Sequence, residues 1–234
     1  VLEVVDLFEQ LGREGILAMV CDSTNVFEEG EAGSEGSARL ALIQAVAEQT
    51  GRVAITSFAS NVARVQSACE AALANDRSVC LVGRSMLRIV GAAQSVGLLK
   101  GYNFIEPEDA ADLPHAHVLY LCTGSQGEPN AALSRIARGD HPVVKMGDGD
   151  TVIFSSRVIP GNERAIGEIQ NQLAERNIRL VTSRQFDIHV SGHPCRDELR
   201  RMYMWAKPKI SVPVHGERRH IFEHARYARS LQVP

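Results

Sequence analysis

At 234 residues and 44% hydrophobic side chains, the chain suffices for one large α/β domain or two small ones, so core size is no constraint. Its five cysteines are odd in number and form no C-x-x-C pair, which argues against a disulfide framework and for reduced thiols in a cytosolic protein. The net charge of −3 is unevenly spread: residues 1–35 hold one Arg against nine acids, and residues 196–234 hold nine Lys and Arg against four acids, a pattern that fits a polyanion at one end or solvated helix faces. No apolar run is long enough for a bilayer and no charged-then-apolar leader precedes the first predicted helix, so a soluble, untargeted protein is expected. The chain opens on Val1 rather than Met, and is expected to be a fragment or a processed form.

Apolar residues at Leu2, Val5, Leu7, Phe8 and Leu11 predict a helix, with Gly12 as its C-cap. A strand over 16–21 then delivers Asp22-Ser23-Thr24-Asn25. Residues 28–36 are acidic and Gly-rich. Ser34 is placed to cap a helix over about 37–49, and Glu35 falls in its first turn, where a carboxylate is favoured by about 0.3–1 kcal/mol.

From Gly51 the pattern alternates: strand 52–57, helix 61–74, strand 78–82, helix 86–97, strand 117–122, helix 130–138. Three strand-helix units predict an α/β fold with a parallel sheet covered on its faces. Each strand ends in a small, hydroxyl-rich turn: Ser57-Phe58-Ala59-Ser60-Asn61, Gly83-Arg84-Ser85, and Thr123-Gly124-Ser125-Gln126-Gly127. Backbone N–H groups, hydroxyls and helix N-termini together suit phosphate, although one such turn alone is an ordinary cap. No Walker A pattern and no G-x-G-x-x-G after a strand occurs, which leaves phosphates of a polymer in play.

Strand 151–155, a Pro160-Gly161 turn, helix 163–176 and strand 178–182 follow. Phe186-Asp187-Ile188-His189-Val190-Ser191-Gly192-His193 reads as an apolar run ending in histidine and glycine. So does Val212-Pro213-Val214-His215-Gly216-Glu217, after a helix over 196–206 and a strand over 209–214. A basic helix over about 218–230 closes the pattern. One acid, Asp22, and two histidines at strand ends point to a hydrolytic metal site of zinc or manganese. Asp22 and His215 supply only two ligands, and the one His-x-His, His115-Ala116-His117, is followed by Val118-Leu119 and reads as the polar start of a buried strand.

Asp22-Ser23-Thr24-Asn25, the turns at 57–61, 82–86 and 123–129, Ile159-Pro160-Gly161-Asn162-Glu163, His189–His193 and Pro213–Glu217 together resemble the bacterial ribonuclease J family, the β-CASP branch of the metallo-β-lactamase superfamily. The resemblance runs along nearly the whole chain. It implies a parallel-sheet β-CASP domain with helices on both faces at 36–185, flanked by remnants of a metallo-β-lactamase αββα domain at 1–35 and 186–234. By resemblance Asp22 bridges two metals, a zinc pair with manganese as the other option, and His215 ligates the second. His193 is the histidine thought to protonate the leaving group, oriented by Glu35. His189, Val190, Ser191, Gly192 and His193 match the segment holding an RNA phosphate near the scissile bond. Ser57, Ser60, Arg84, Ser125 and Gln126 lie in turns resembling the RNA channel and 5′-monophosphate pocket.

The family's His-x-His-x-Asp-His run has no match in this chain. The resemblance therefore implies a cytoplasmic, metal-dependent 5′-3′ exonuclease or endonuclease as the complete protein, a homodimer or homotetramer acting on 5′-monophosphorylated RNA away from membranes, with this chain alone inactive. The alternatives are a noncatalytic RNA-binding module and a metallo-β-lactamase-fold hydrolase of another substrate.

Overall fold

In the computed structural model, which describes residues 2–233, the chain forms two compact units. The first combines the N-terminal residues up to Gly33 with those from Ser191 onward; the second is Ser34–Val190.

The second unit carries a six-stranded sheet of β2 (Val53–Thr56), β3 (Ser78–Val82), β4 (Phe104–Ile105), β5 (Val118–Cys122), β6 (Thr151–Phe154) and β7 (Arg179–Val181), in the order β4-β3-β5-β2-β6-β7 and parallel throughout. All residues of β2, β5 and β6 are buried, as apolar runs covered on both faces require. Alternate side chains divide the core. Ile55, Leu119, Leu121 and Ile153 pack with α2 (Glu35–Ala47), α3 (Val62–Leu73) and α4 (Arg84–Ser95). Ala54, Tyr120, Cys122 and Val152 pack with α5 (Pro107–Asp112), α6 (Ala132–Arg138) and α7 (Glu163–Glu175). The expected α/β fold with helices on both faces is thus present. The pair β4 and α5 was not expected. Two residues of pairing and a six-residue helix started by Pro107 are too short to show periodicity.

The first unit pairs β1 (Ala18–Asp22) in parallel with β8 (Ile210–Val214), Asp22 opposite Val214. Around them lie α1 (Leu2–Glu14), α8 (Arg196–Ala206) and α9 (Arg218–Ser230). Gly12 is not the expected C-cap: α1 runs through it to Glu14, and Gly15, at φ +100°, follows. Its lack of a side chain serves packing instead, because a Cβ there would lie 2.1 Å from the Trp205 carbonyl oxygen on α8. The charge asymmetry is partly neutralised within this unit. Arg196 pairs with Glu29 and Glu223, and Arg201 with Glu31 at 2.6 Å. No described helix is long and apolar enough to cross a membrane.

Candidate functional site

The β1–β8 register brings Asp22, the last residue of β1, beside the turn after Val214, and the Ser23 N–H donates to the His215 carbonyl at 3.2 Å. His215 sits in the left-handed region at φ +57°, with Gly216 at +127° behind it. A histidine tolerates this conformation better than most residues, and such strain concentrates at functional sites. The turn holds His215 Nδ1 3.0 Å from Asp22 Oδ2 and 2.8 Å from Thr24 Oγ1.

His193 reaches the same carboxylate from a different element. Residues 186–190 are not the expected strand but irregular backbone, so His193 does not end a strand; it precedes α8. Its segment is fixed by Asn25, whose side-chain amide donates to Ser191 Oγ at 3.0 Å and to the His193 carbonyl at 2.9 Å. His193 Nδ1 lies 2.9 Å from Asp22 Oδ2, and its ring stacks on His215 with centroids 5.2 Å apart. Burial would raise the Asp22 pKa, but the Thr24 backbone N–H, His193 and the Thr24 side chain outweigh it and hold the carboxyl below its usual range.

Ligand atoms of Asp22, His193 and His215 lie within 4.8 Å of one another. Two imidazoles and a carboxylate suit zinc, and also manganese. These three residues fit one divalent cation; a two-metal centre takes more protein ligands than this cluster supplies.

In the second unit Glu35 occupies the first turn of α2, whose N-cap Ser34 accepts from the Ser37 N–H. Burial would raise its pKa, but hydrogen bonds from Arg64 and Asn61 and the Arg64 charge hold it down. Arg64 is 1% exposed and also donates through Nη1 to the Ser155 and Ile188 carbonyls, at 2.9 and 3.0 Å. Thus one guanidinium braces Glu35 and the backbone immediately before His189. Sequence reasoning missed Arg64; its only signal is an arginine among the apolar residues of α3. Burial, followed by the Arg64 charge, pushes the His189 pKa down to about 4. Val190 ends this unit, while Ser191, exposed Gly192 and His193 belong to the first.

The strand order explains the three turns. β3, β5 and β2 are neighbours, with Val82 opposite Cys122 and Cys122 opposite Thr56, so the turns lie side by side at the carboxyl edge. From β3 the chain passes to α4 on one face and from β5 to α6 on the other. Such a switch point opens a crevice between strand ends. A cleft of about 530 Å³ lies there, lined by Gly83, Arg84, Ser85, Arg88, Thr123 and Asn130, among others. Gly83 is required at φ +112°, where a Cβ would come within 2.8 Å of Thr123 Oγ1. Arg84 is exposed at the start of α4, and Ser60 is exposed before α3. The hydroxyls of Ser57 and Ser125 are buried without a hydrogen-bond partner among the described residues. Gln126 is engaged within the unit: its amide donates to the Arg157 carbonyl at 2.9 Å and accepts from the Ile159 N–H at 3.0 Å, fixing the loop after β6. His115 and His117 lie in a 3-10 turn before β5, where His117 Nδ1 meets the Asp76 carbonyl at 2.8 Å.

Comparison with known proteins adds to this geometry. Residues 50–173 match the family described as Ribonuclease J, beta-CASP domain, and residues 177–233 match the Zn-dependent metallo-hydrolase RNA specificity domain. The protein named Ribonuclease J from Sinorhizobium meliloti is 48% identical over 228 residues, covering 97% of this chain and 40% of its own length. The protein of that name from Corynebacterium glutamicum is 42% identical over 226 residues, covering 96% of the chain and 32% of its own length. That from Mycolicibacterium smegmatis is 40% identical over 227 residues, with 96% and 41% covered. The chain spans less than half the length of each of these relatives.

Proposed function

The chain belongs to the ribonuclease J family through its β-CASP domain, and from that premise we propose that it forms the RNA-holding and part of the metal-holding region of a metal-dependent ribonuclease. The observation that carries the proposal is the convergence of Asp22, His193 and His215, from three separate segments, on one carboxylate oxygen. Residues 34–190 act as the β-CASP domain, and the flanking segments as parts of the metallohydrolase domain.

Asp22 and His215 hold a divalent metal, zinc before manganese, in a centre completed to two ions by ligands from elsewhere in the full-length protein. The metal, when bound, offsets charge on the scissile phosphate and acidifies water. The chain's own groups do the rest. Asp22 holds His193 through Nδ1, which leaves Nε2 to carry a proton toward the departing oxygen of an RNA phosphodiester. Glu35, held by Arg64 and Asn61 within its own unit, is the acidic residue assigned to the site. The 189–193 segment holds the phosphate next to the scissile bond. Ser60 and Arg84 bind phosphates, including a 5′-monophosphate; Ser57 and Ser125, whose hydroxyls are buried, and Gln126 act there by shaping the turns. Cys69, Cys80 and Cys122 are buried with thiols pushed up to about 12, so they are unreactive core groups; a cytoplasmic setting is part of the proposal. A homodimer or homotetramer is the proposed assembly of the full-length protein.

The test is His193→Ala in the full-length protein, with turnover of 5′-monophosphorylated RNA and zinc content measured together. Turnover should fall about 10²–10⁴-fold, the range of a lost general acid, with zinc retained. Loss of zinc would make His193 a ligand instead, and unchanged turnover would remove it from the chemistry.

A further inference from the structure

Asp22 and Thr24 both face the cluster: the Asp22 carboxylate meets His193 and His215, and Thr24 Oγ1 meets His215. Ser23, between them, points the other way, as alternation at a strand end dictates. It is 0% exposed, and its hydroxyl lies 2.8 Å from Nδ1 of His224 on α9, itself 0% exposed. Nε2 of His224 lies 2.8 Å from the Tyr203 hydroxyl, which meets Ser211 Oγ on β8 at 2.6 Å. Both ring nitrogens are thereby engaged, so His224 has none left for a metal. A neutral imidazole donates through one nitrogen and accepts through the other, and this chain of hydroxyls satisfies both.

We propose that His224 is a positioning residue for the Asp22–His215 pair and acts through Ser23. The inference rests on the reading of that pair as metal ligands. α9 starts three residues after His215 and returns, through His224, to the residue after Asp22. Ser23 closes the loop, since its backbone N–H donates to the His215 carbonyl at 3.2 Å. The two ligands are therefore tied to each other from behind by Ser23 and α9, with no group of that tether exposed at the site. Supports of this kind orient ligands, and their loss typically weakens metal binding 10–100-fold.

The test measures zinc affinity of the full-length protein by competition with a chromophoric chelator, alongside urea unfolding of the metal-free form. The side-chain amide of Asn can reproduce the Nδ1 contact to Ser23, whereas that of Gln reproduces the Nε2 contact to Tyr203. Ser23→Ala and His224→Gln should weaken zinc binding about tenfold. His224→Asn should stay within about threefold of wild type, less than the loss from a missing support. Equal affinity in all variants, or losses that follow urea stability instead of the Ser23 contact, would overturn the inference while leaving the metal site in place. Failure of the wild type to bind zinc would remove the metal-site reading and the inference with it.

Discussion

Arg64 grips both carboxylate oxygens of Glu35, with Nε 3.0 Å from Oε2 and Nη2 3.0 Å from Oε1. The arginine is 1% exposed and the glutamate side chain 34%, so replacing the arginine leaves a partly buried carboxylate with only the Asn61 amide and takes one donor each from the Ser155 and Ile188 carbonyls, the latter keeping the Ser155 hydroxyl. Arg64→Met should destabilise the chain by about 2–3 kcal/mol, toward the lower end for a broken buried pair because Glu35 keeps some water. Urea unfolding checks this; a loss under about 0.5 kcal/mol would show that the guanidinium is dispensable.

Two helix glycines should respond in opposite directions. Gly12→Ala places a methyl group 2.1 Å from the Trp205 carbonyl oxygen and should cost about 1–3 kcal/mol as α1 is pushed from α8. Gly91, exposed within α4, has nothing within 4 Å of its added Cβ, so Gly91→Ala should stabilise by about 0.5–1 kcal/mol. Thermal unfolding of the two variants side by side decides it: equal shifts would contradict the close helix approach.

These glycines also show what could be read from residue order alone. Gly12 follows a helical stripe and looks like a C-cap, because a cap and a close contact both favour glycine; only the position of α8 separates them. Strand 78–82 and helices 196–206 and 218–230 were legible to the residue, since strong periodicity and clear flanking signals agree there. Asp22 and His215 were legible as strand-end residues, but their meeting depends on the parallel register of β1 with β8. His193 was singled out for the wrong local reason, a strand end, and reaches Asp22 through the Asn25 clamp. Arg64 and His224 were invisible as site supports, because each works through a partner distant in sequence.

The pH dependence of stability should carry a signature of His189. Burial first, and the Arg64 charge second, lower its pKa from 6.5 to about 4. As pH falls from 6.5 toward 4 the unfolded chain takes up a proton that the folded chain refuses. Stability from this group is therefore complete above 6.5, declines as pH drops, and levels off below about 4. Buried His224, also lowered, adds a slope of the same sign. His189→Gln should flatten the fall in urea midpoint between pH 7 and 4.5, and parallel curves for wild type and variant would rule out the effect.

The cleft at the β3–β5 switch point should bind single-stranded RNA through its arginines. Arg84→Ala and Arg88→Ala should each weaken binding and reduce the dependence of log affinity on log salt by about 0.7 per lost phosphate contact. Fluorescence anisotropy across a salt series reads both. Slopes unchanged in both variants would mean that RNA does not pass through this cleft.

Asp22 is proposed to hold a metal that acts on RNA phosphates. The most direct test is to measure zinc content and turnover of 5′-monophosphorylated RNA on the same preparations of full-length wild type and Asp22→Ala. Both should fall together, with turnover reduced at least about 10³-fold, as several kcal/mol of metal-derived charge stabilisation are lost. Turnover preserved in the variant, whatever its zinc content, would contradict the claim.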